Sequence, residues 1–317
     1  MYRAFLFFLL IPLLPAQILV DTFAGGVVPS GIPAQNAYLS NVSGLAWDGS
    51  GNVVFCDSSH NIIRRVNASG TIETIAGSGV AGFSGDGGQA RSALLFSPTS
   101  PRYDVYGNLY FYDSGNNRIR RIDAKGVIST LAGDGIPFAA GMDAAGPAAL
   151  ISLDRVVDLA VDGAGNVYFT ENSHRLRRVT PAGKVEVFAG TGSQLCGGCS
   201  NGDGGLALAA MLESPASLTV DPRGDVFFVD GHAIRKIAPD GTISTFVPPI
   251  ILEPPPAIEF PASIGALATD AGGNLYAVAA ISVPAAIYRF DTHGTRTTIV
   301  GGTNSQNSTP MARRFRP

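Results

Sequence analysis

Short apolar runs alternate along the chain with clusters of Gly, Asn, Asp and Pro. Each run is only a few residues long, which suits a β-strand and is too short for a helix of ordinary length. The polar clusters hold the residue types that favour tight turns and hairpins. The pattern therefore predicts an all-β chain in which many short antiparallel strands follow one another directly.

One phrase, Asp-x-x-Gly-Asn followed by apolar residues, recurs with modest variation. Each copy continues with a polar bend, a strand that carries a basic doublet, a turn that ends in Gly, and a last strand. A period of roughly 55 residues marks a repeat architecture. A unit of four short strands cannot cover both of its faces, so we expect the units to pack radially as the blades of a β-propeller. The copies begin at Asp48, Asp104, Asp162, Asp221 and Asp270.

The repeats predict five complete four-stranded blades. Residues 18–25 resemble the last strand of a repeat and precede the first complete unit, so we expect them to form an orphan N-terminal outer strand. An incomplete six-bladed ring and a five-bladed or open ring are both compatible with this arrangement. The approximate repeat boundaries are 42–98, 99–154, 155–215, 216–262 and 263–302.

The N-terminus has the pattern of a secretory signal peptide over residues 1–16. Arg3 gives a positive start, residues 4–14 are apolar, and small residues surround Ala16. The apolar run is short for a permanent membrane span, although a retained anchor is the alternative. We therefore expect a mature chain, 17–317, that is secreted or periplasmic and has no membrane span after signal cleavage.

Composition narrows the possible partners. The chain is 45% hydrophobic, so it is not disordered, and it is only 15% charged with a formal net charge of −3. The basic doublets lie on strands, where neighbouring side chains point to opposite faces, and acidic residues accompany them. We expect these arginines to pair with acids between blades, and we expect no nucleic acid partner.

The repeats resemble those of NHL-repeat proteins of the exported bacterial type. The resemblance is carried by the repeated Asp-x-x-Gly-Asn-(Val/Leu)-Tyr phrase, by Asp-Ser-Gly-Asn-Asn-Arg-Ile-Arg at 113–120, and by the glycine-rich segments 75–79 and 83–88. It covers essentially the whole mature chain and implies a β-propeller. It does not imply one activity, because propellers include lactone hydrolases, lyases, ligand sensors and interaction surfaces.

The bends after the second strand and the long connectors between blades should share one face, the connector face, which is the better place for a ligand. Acidic residues recur there, and a ring of carboxylates could hold Ca²⁺. The favoured alternative is that each acid caps its own bend or pairs with a nearby Arg. The acids are Asp57, Asp113, Glu171 and Asp230 in the bends and Asp86 and Asp203 in Gly-Asp-Gly-Gly loops.

Two charged residues depart from the repeat on the shallow face of inner strands in consecutive blades. Arg102 stands where the other repeats carry Ala or Thr, and Asp158 lies in the next blade. They could anchor a ligand carboxylate or sugar in the central channel, or they could pair with one another. We favour the ion pair, because a lone buried charge is costly to desolvate.

His60, His174 and His232 also fall in the bends and could converge on Zn²⁺, but outer bends are poorly placed for convergence. Cys196 and Cys199 lie in one connector and predict a local disulfide in an exported chain. Zinc at this cysteine pair would need two further ligands. For the three histidines, we favour neutral surface side chains, because the outer bends are poorly placed for convergence.

We predict a non-catalytic binding propeller that meets a protein, glycan or small molecule outside the cytoplasm on its connector face. The alternative is a metal-dependent lactone hydrolase or lyase resembling the gluconolactonase-like propellers, with Ca²⁺ or Zn²⁺ as its metal. The enzyme is the less favoured of the two, because no single repeat stands out with a distinct set of catalytic side chains.

Overall fold

The computed structural model describes residues 30–136, 145–193, 201–248, 264–279 and 286–301. Strands and short 3-10 turns make up its regular structure, and no helix within these ranges is long and apolar enough to cross a bilayer. Three predicted features lie outside the described residues. They are the signal peptide at 1–16, the outer strand at 18–25, and the Cys196–Cys199 disulfide.

The strands follow the predicted rhythm of short runs and turns. In chain order they are β1 (Ile32–Pro33), β2 (Val42–Trp47), β3 (Val53–Asp57), β4 (Ile62–Val66), β5 (Thr71–Ala76), β6 (Pro98–Tyr103), β7 (Leu109–Asp113), β8 (Arg118–Ile122), β9 (Ile128–Ala132), β10 (Gly146–Pro147), β11 (Val156–Val161), β12 (Val167–Glu171), β13 (Arg175–Val179), β14 (Lys184–Ala189), β15 (Pro215–Val220), β16 (Val226–Asp230), β17 (Ala233–Ile237), β18 (Ile243–Val247), β19 (Ile264–Thr269), β20 (Leu275–Ala279), β21 (Ala286–Phe290) and β22 (Arg296–Gly301).

These strands form five antiparallel blades, β2–β5, β6–β9, β11–β14, β15–β18 and β19–β22, here numbered one to five. The first strand of each blade contacts the first strand of the next, so the blades follow one another around a common centre. A bulge interrupts the pairing of each inner strand with its neighbour. The predicted propeller of four-stranded blades is confirmed.

The core lies between blades. In blade three, Leu159 and Phe169 are fully buried and share one cluster with Tyr110 and Tyr112 of the preceding blade. This contact places bulky side chains of one sheet in the shallow face of the next, as close packing requires. The position of Leu159 is occupied in blade one by Leu45, which is 66% exposed because no described blade lies against that face.

The repeated Asp-x-x-Gly-Asn phrase forms a turn that its own side chains hold. In blade two, Oδ1 of Asp104 accepts the backbone N–H groups of Tyr106 and Asn108, both at 2.9 Å. Its Oδ2 accepts the Asn108 amide at 2.6 Å and the Tyr110 hydroxyl at 3.0 Å. Gly107 has φ of +80°, which side-chain-bearing residues rarely adopt. The phrase is therefore a structural motif.

The connectors also protect the outer edges of blades. The segment entering blade one adds β1 beside β5, and β10 lies in the same way beside β14 in blade three. A short 3-10 turn then carries a buried Ala under the blade, as at Ala90 and Ala148. An unpaired edge invites association with other chains, so this cover removes a liability. The repeated Asp-x-x-Gly-Asn phrase does not predict this Ala-containing segment.

Candidate ligand-binding site

The acid that ends the second strand of a blade is tied to the polypeptide around it. In blade two, Asp113 is fully buried, accepts the Phe96 N–H at 2.7 Å, and lies 3.2 Å from the buried Arg120 guanidinium. Arg120 also reaches Asp86 of the preceding connector at 2.6 Å. The equivalent pairs and their N–O distances are Asp57–Arg64 at 3.8 Å, Glu171–Arg177 at 3.4 Å and Asp230–Arg235 at 3.4 Å.

In blades one and three, the second arginine of the doublet pairs with an acid on the other face of the sheet. Arg65 lies 2.6 Å from Glu73 of the next strand, and Arg178 contacts Glu186 in the same way. Both pairs lie within one blade, so the expectation of pairing between blades is wrong for Arg65 and Arg178. Strand order explains the difference, since the fourth strand is closer to the third than any neighbouring blade is.

Arg102 and Asp158 form an ion pair between blades two and three. Arg102 Nη2 lies 2.7 Å from Asp158 Oδ1. Asp158 Oδ2 also accepts the Leu218 N–H of blade four at 2.9 Å, so one carboxylate connects three blades. Of the two alternatives for these residues, a ligand anchor or an ion pair, the structure shows the ion pair.

A cavity of about 810 Å³ opens on the connector face, where the inner strands begin. Side chains from blades one to four line it, and the charged ones belong to blade three. Asp57, Asp113, Asp230, Arg102 and Asp158 are not among the lining residues. Those that line it are Ser43, Thr99, Ser100, Tyr112, Ser114, Asn117, Arg155, Val156, Val157, Glu171, Asn172, His174, Ser214, Pro215 and Ala216.

Blade three departs from the repeat at three positions that meet in this cavity. Arg155 precedes the inner strand, where blades two and four carry Ser97 and Ser214. Glu171 replaces the Asp that ends the second strand in blades one, two and four. His174 takes the left-handed position that Asn occupies in blades one and two, with φ of +58°. Arg155 was not predicted as a site residue. Its difference from Ser97 and Ser214 at the equivalent position is the sequence signal that identifies it.

Glu171 is the buried acid of the site. It is 1% exposed, and this burial raises its pKa from 4.5 to about 7 despite the nearby Arg177. Its Oε1 accepts both the Asp154 N–H at 3.1 Å and the Arg177 Nη1–H at 3.4 Å. Among the described residues, Oε2 has no hydrogen-bond partner. A protonated Glu171 could therefore donate from Oε2 into the cavity.

The two other functional groups complement this acid. His174 donates its Nδ1–H to the Glu213 carbonyl at 2.8 Å, which leaves Nε2 of the neutral ring as an acceptor. Arg155 is exposed, and none of the carboxylates that the structure describes lies within ion-pairing distance of it. Burial raises the pKa of Tyr112 to about 12, so its hydroxyl remains protonated and donates to Asn117 at 3.1 Å.

Positive backbone φ at the cavity is a property of the repeat. Ser100, Asn117, Arg155 and His174 line the cavity with φ of +52°, +49°, +29° and +58°. The same positions also have positive φ in other blades, at Asn41, Asn61, Ser97 and Ser217. These backbone conformations therefore do not distinguish the cavity from the rest of the propeller.

A family model described as the teneurin NHL domain matches residues 165–252, which run from blade three through blade four. The same strand order, acid–arginine pair and turn recur in the blades before this region. The chain is an NHL-repeat β-propeller.

Relatives of this NHL propeller are much longer proteins. Teneurin-3 from Mus musculus is 29% identical over 212 residues, which make up 65% of this chain and 7% of teneurin-3. Teneurin-1 from Gallus gallus is 46% identical over 68 residues, or 21% of this chain and 2% of teneurin-1. The chain thus spans less than a tenth of the length of either relative.

Solved structures agree on the fold. A streptogramin B lyase has a TM-score of 0.54 and 16% sequence identity, with 86% of this chain and 71% of that chain covered. A gluconolactonase from Xanthomonas campestris has a TM-score of 0.52 and 17% identity, with 82% and 75% covered. At these identities the likeness concerns the propeller and not the chemistry.

The side chains that the structure describes do not fit the metal centre that a lactonase-like activity implies. Within the described ranges, no three His, Cys, Asp or Glu side chains group so that they could hold a metal ion. The acids of the four bends lie in separate blades, each beside its own Arg. His60 bonds instead to Asp57 at 2.7 Å, and His232 has no place in the cavity lining. No reaction step through a metal follows from this arrangement.

Proposed function

We propose that this NHL propeller is a non-catalytic binding protein that acts outside the cytoplasm and holds its ligand in the connector-face cavity. One observation carries the proposal. Three of the residues in which blade three departs from the repeat, Arg155, Glu171 and His174, line the same cavity. A repeat that served only to complete the ring would need no such departures.

The size of the cavity favours a small ligand or the end of a chain over a flat protein surface. Its volume of about 810 Å³ lies within the range of sites for small molecules. Its walls combine Val156, Val157 and Pro215 with hydroxyl, carboxyl and imidazole groups. Such a mixture suits a polar organic molecule, a short peptide end or a glycan residue.

Catalysis as a hydrolase or lyase is less well supported. It would need a group that polarises a carbonyl and a second group that attacks it or removes a proton. His174 could act as a base, but its neighbour Glu171 is already bonded through Oε1 to Arg177. The likeness to lyase and lactonase structures supports the propeller alone.

Filling the cavity tests the proposal. Val157 lines it and is 42% exposed, so Val157→Trp should occupy the cavity without disturbing the core. Val105 is 75% exposed in the Asp104 turn, so Val105→Trp is the matched control away from the cavity. A panel of organic acids, dipeptides and monosaccharides would be screened by thermal shift, with hits measured by calorimetry. We expect hits that stabilise the wild type and Val105→Trp but not Val157→Trp.

Two results would contradict the proposal. One is a panel in which no compound stabilises the wild type. The other is a set of hits that stabilise Val157→Trp as well as the wild type, which would place the ligand elsewhere on the propeller.

A further inference from the structure

We infer that the ligand carries a carboxylate, which Arg155 binds as an ion pair and to which protonated Glu171 donates a hydrogen bond from Oε2. This inference rests on the proposed function, since it assigns the chemistry of the same cavity. It makes Arg155 and Glu171 the residues that determine specificity, and it couples binding to the uptake of one proton.

Arg155 has the features of an anion anchor. The other described arginines of blade three have protein partners: Arg175 donates to the Thr191 carbonyl, Arg177 pairs with Glu171, and Arg178 pairs with Glu186. Arg155 is exposed at the cavity, and none of the described acidic residues forms an ion pair with it. A guanidinium presents several donors in one plane and matches a carboxylate in shape. The small residues at its position in blades two and four show that the fold itself does not need the charge.

Glu171 supplies the second contact. Both of its hydrogen bonds use Oε1, so Oε2 is left for a partner outside the described protein groups. The acid equivalent to it in blade four, Asp230, uses both oxygens, with Oδ1 accepting two N–H groups and Oδ2 facing Arg235. Asp113 of blade two likewise uses both oxygens, so Glu171 differs from these two acids in leaving one oxygen without a hydrogen bond. A ligand carboxylate can share a proton with it only if Glu171 is protonated.

The charges around Glu171 support this protonation. Arg177 favours the ionised form, whereas burial and the nearby Asp154 carboxylate oppose it, and the outcome is a pKa of about 7. Arg155, Tyr112 and His174 line the same cavity as Glu171. An arriving carboxylate adds further negative charge, so it raises the pKa of Glu171 again. Above about pH 7, binding is therefore accompanied by transfer of a proton from solvent to Glu171.

The test compares two probes of the same shape. N-acetylglycine carries the carboxylate, and N-acetylglycinamide replaces it with a neutral amide. Calorimetry or ligand-observed NMR would be run on the wild type, on Arg155→Ser, and on Lys184→Ser. Serine is the residue of blades two and four at the Arg155 position, so Arg155→Ser should fold. Lys184 is exposed on an outer strand, so Lys184→Ser controls for the loss of one positive charge.

We expect N-acetylglycine to bind the wild type and Lys184→Ser alike, and to bind Arg155→Ser at least about tenfold more weakly. The amide should bind all three weakly. Lowering the pH from about 8 to about 6 should strengthen binding of N-acetylglycine to the wild type. Glu171→Gln, whose amide is a permanent donor, should bind it without this pH dependence.

Failure of the inference differs from failure of the proposed function. Equal affinity of the wild type and Arg155→Ser, preference for the amide, or no binding of N-acetylglycine would each overturn the carboxylate assignment. Inorganic phosphate that binds in place of N-acetylglycine would overturn it in favour of a phosphate ligand. If neutral compounds still lose their binding in Val157→Trp, the proposed function stands without the inference. If Val157→Trp binds every compound as the wild type does, both the proposed function and the carboxylate inference fail.

Discussion

Arg102 and Asp158 lie 56 positions apart in the chain and form an ion pair of 2.7 Å between the inner strands of blades two and three. Asp158 extends this link to blade four through the Leu218 N–H. Three blades thus share one polar junction near the ring centre. Neither residue has an equivalent charge in the other repeats, so this junction is a local addition to the NHL plan.

The junction should show strong coupling in a double-mutant cycle. Arg102→Ala restores the residue of blades one and three, and we expect it to cost about 1 kcal/mol. Asp158→Ala also loses the Leu218 contact and should cost about 2–3 kcal/mol. The double variant should be more stable than the sum of the single effects by about 1 kcal/mol or more, measured by urea unfolding. Additive effects would show that the pair contributes nothing.

Glu171 should make stability depend on pH. Its folded pKa of about 7 exceeds its ordinary value of 4.5, so the native state binds more protons between these values. Stability should therefore fall as pH rises from about 4.5 to about 7, by roughly 3 kcal/mol at most, and then level off. Denaturant melts at several pH values would measure this slope. Glu171→Gln should lose this dependence of stability on pH. An unchanged slope in Glu171→Gln would assign the dependence to another group.

Truncation of a leucine side chain should cost less stability in the inner strand of blade one than at the equivalent position of blade three. Leu159 is fully buried, and Leu159→Ala should cost about 2–5 kcal/mol by opening a cavity. Leu45 occupies the same position but is 66% exposed, and Leu45→Ala should cost less than about 1 kcal/mol. Thermal or urea unfolding would compare the two variants. Equal costs would reveal that a segment or partner covers Leu45 in solution.

Removal of metal ions by a chelator should leave the melting temperature of the propeller unchanged. The acids of the bends are neutralised by Arg64, Arg120, Arg177 and Arg235, which leaves them poor ligands for Ca²⁺ or Zn²⁺. Elemental analysis of the purified chain should find no stoichiometric metal, and chelator should not shift the melting temperature. One ion per chain with a fall in melting temperature would revive the hydrolase or lyase alternative.

The sequence by itself determined the blades. The Asp104 turn uses donors within six positions of the Asp, so its geometry is set by local chemistry that a repeat displays openly. The acid–arginine pairs join adjacent strands of one hairpin and are nearly as local, with Asp113 and Arg120 seven positions apart. Repetition made both patterns visible, and it correctly indicated a propeller.

Only the tertiary structure decided where the departures from the repeat meet. Pairing of Val156 with Glu171 places Arg155 beside the bend that holds Glu171 and His174, and packing of neighbouring blades adds Ser100 and Ser214 to the same cavity. It also decided which oxygen of Glu171 stays free and how far burial raises its pKa. These properties depend on desolvation and on distances between blades, and neither is encoded in the spacing of residues along the chain.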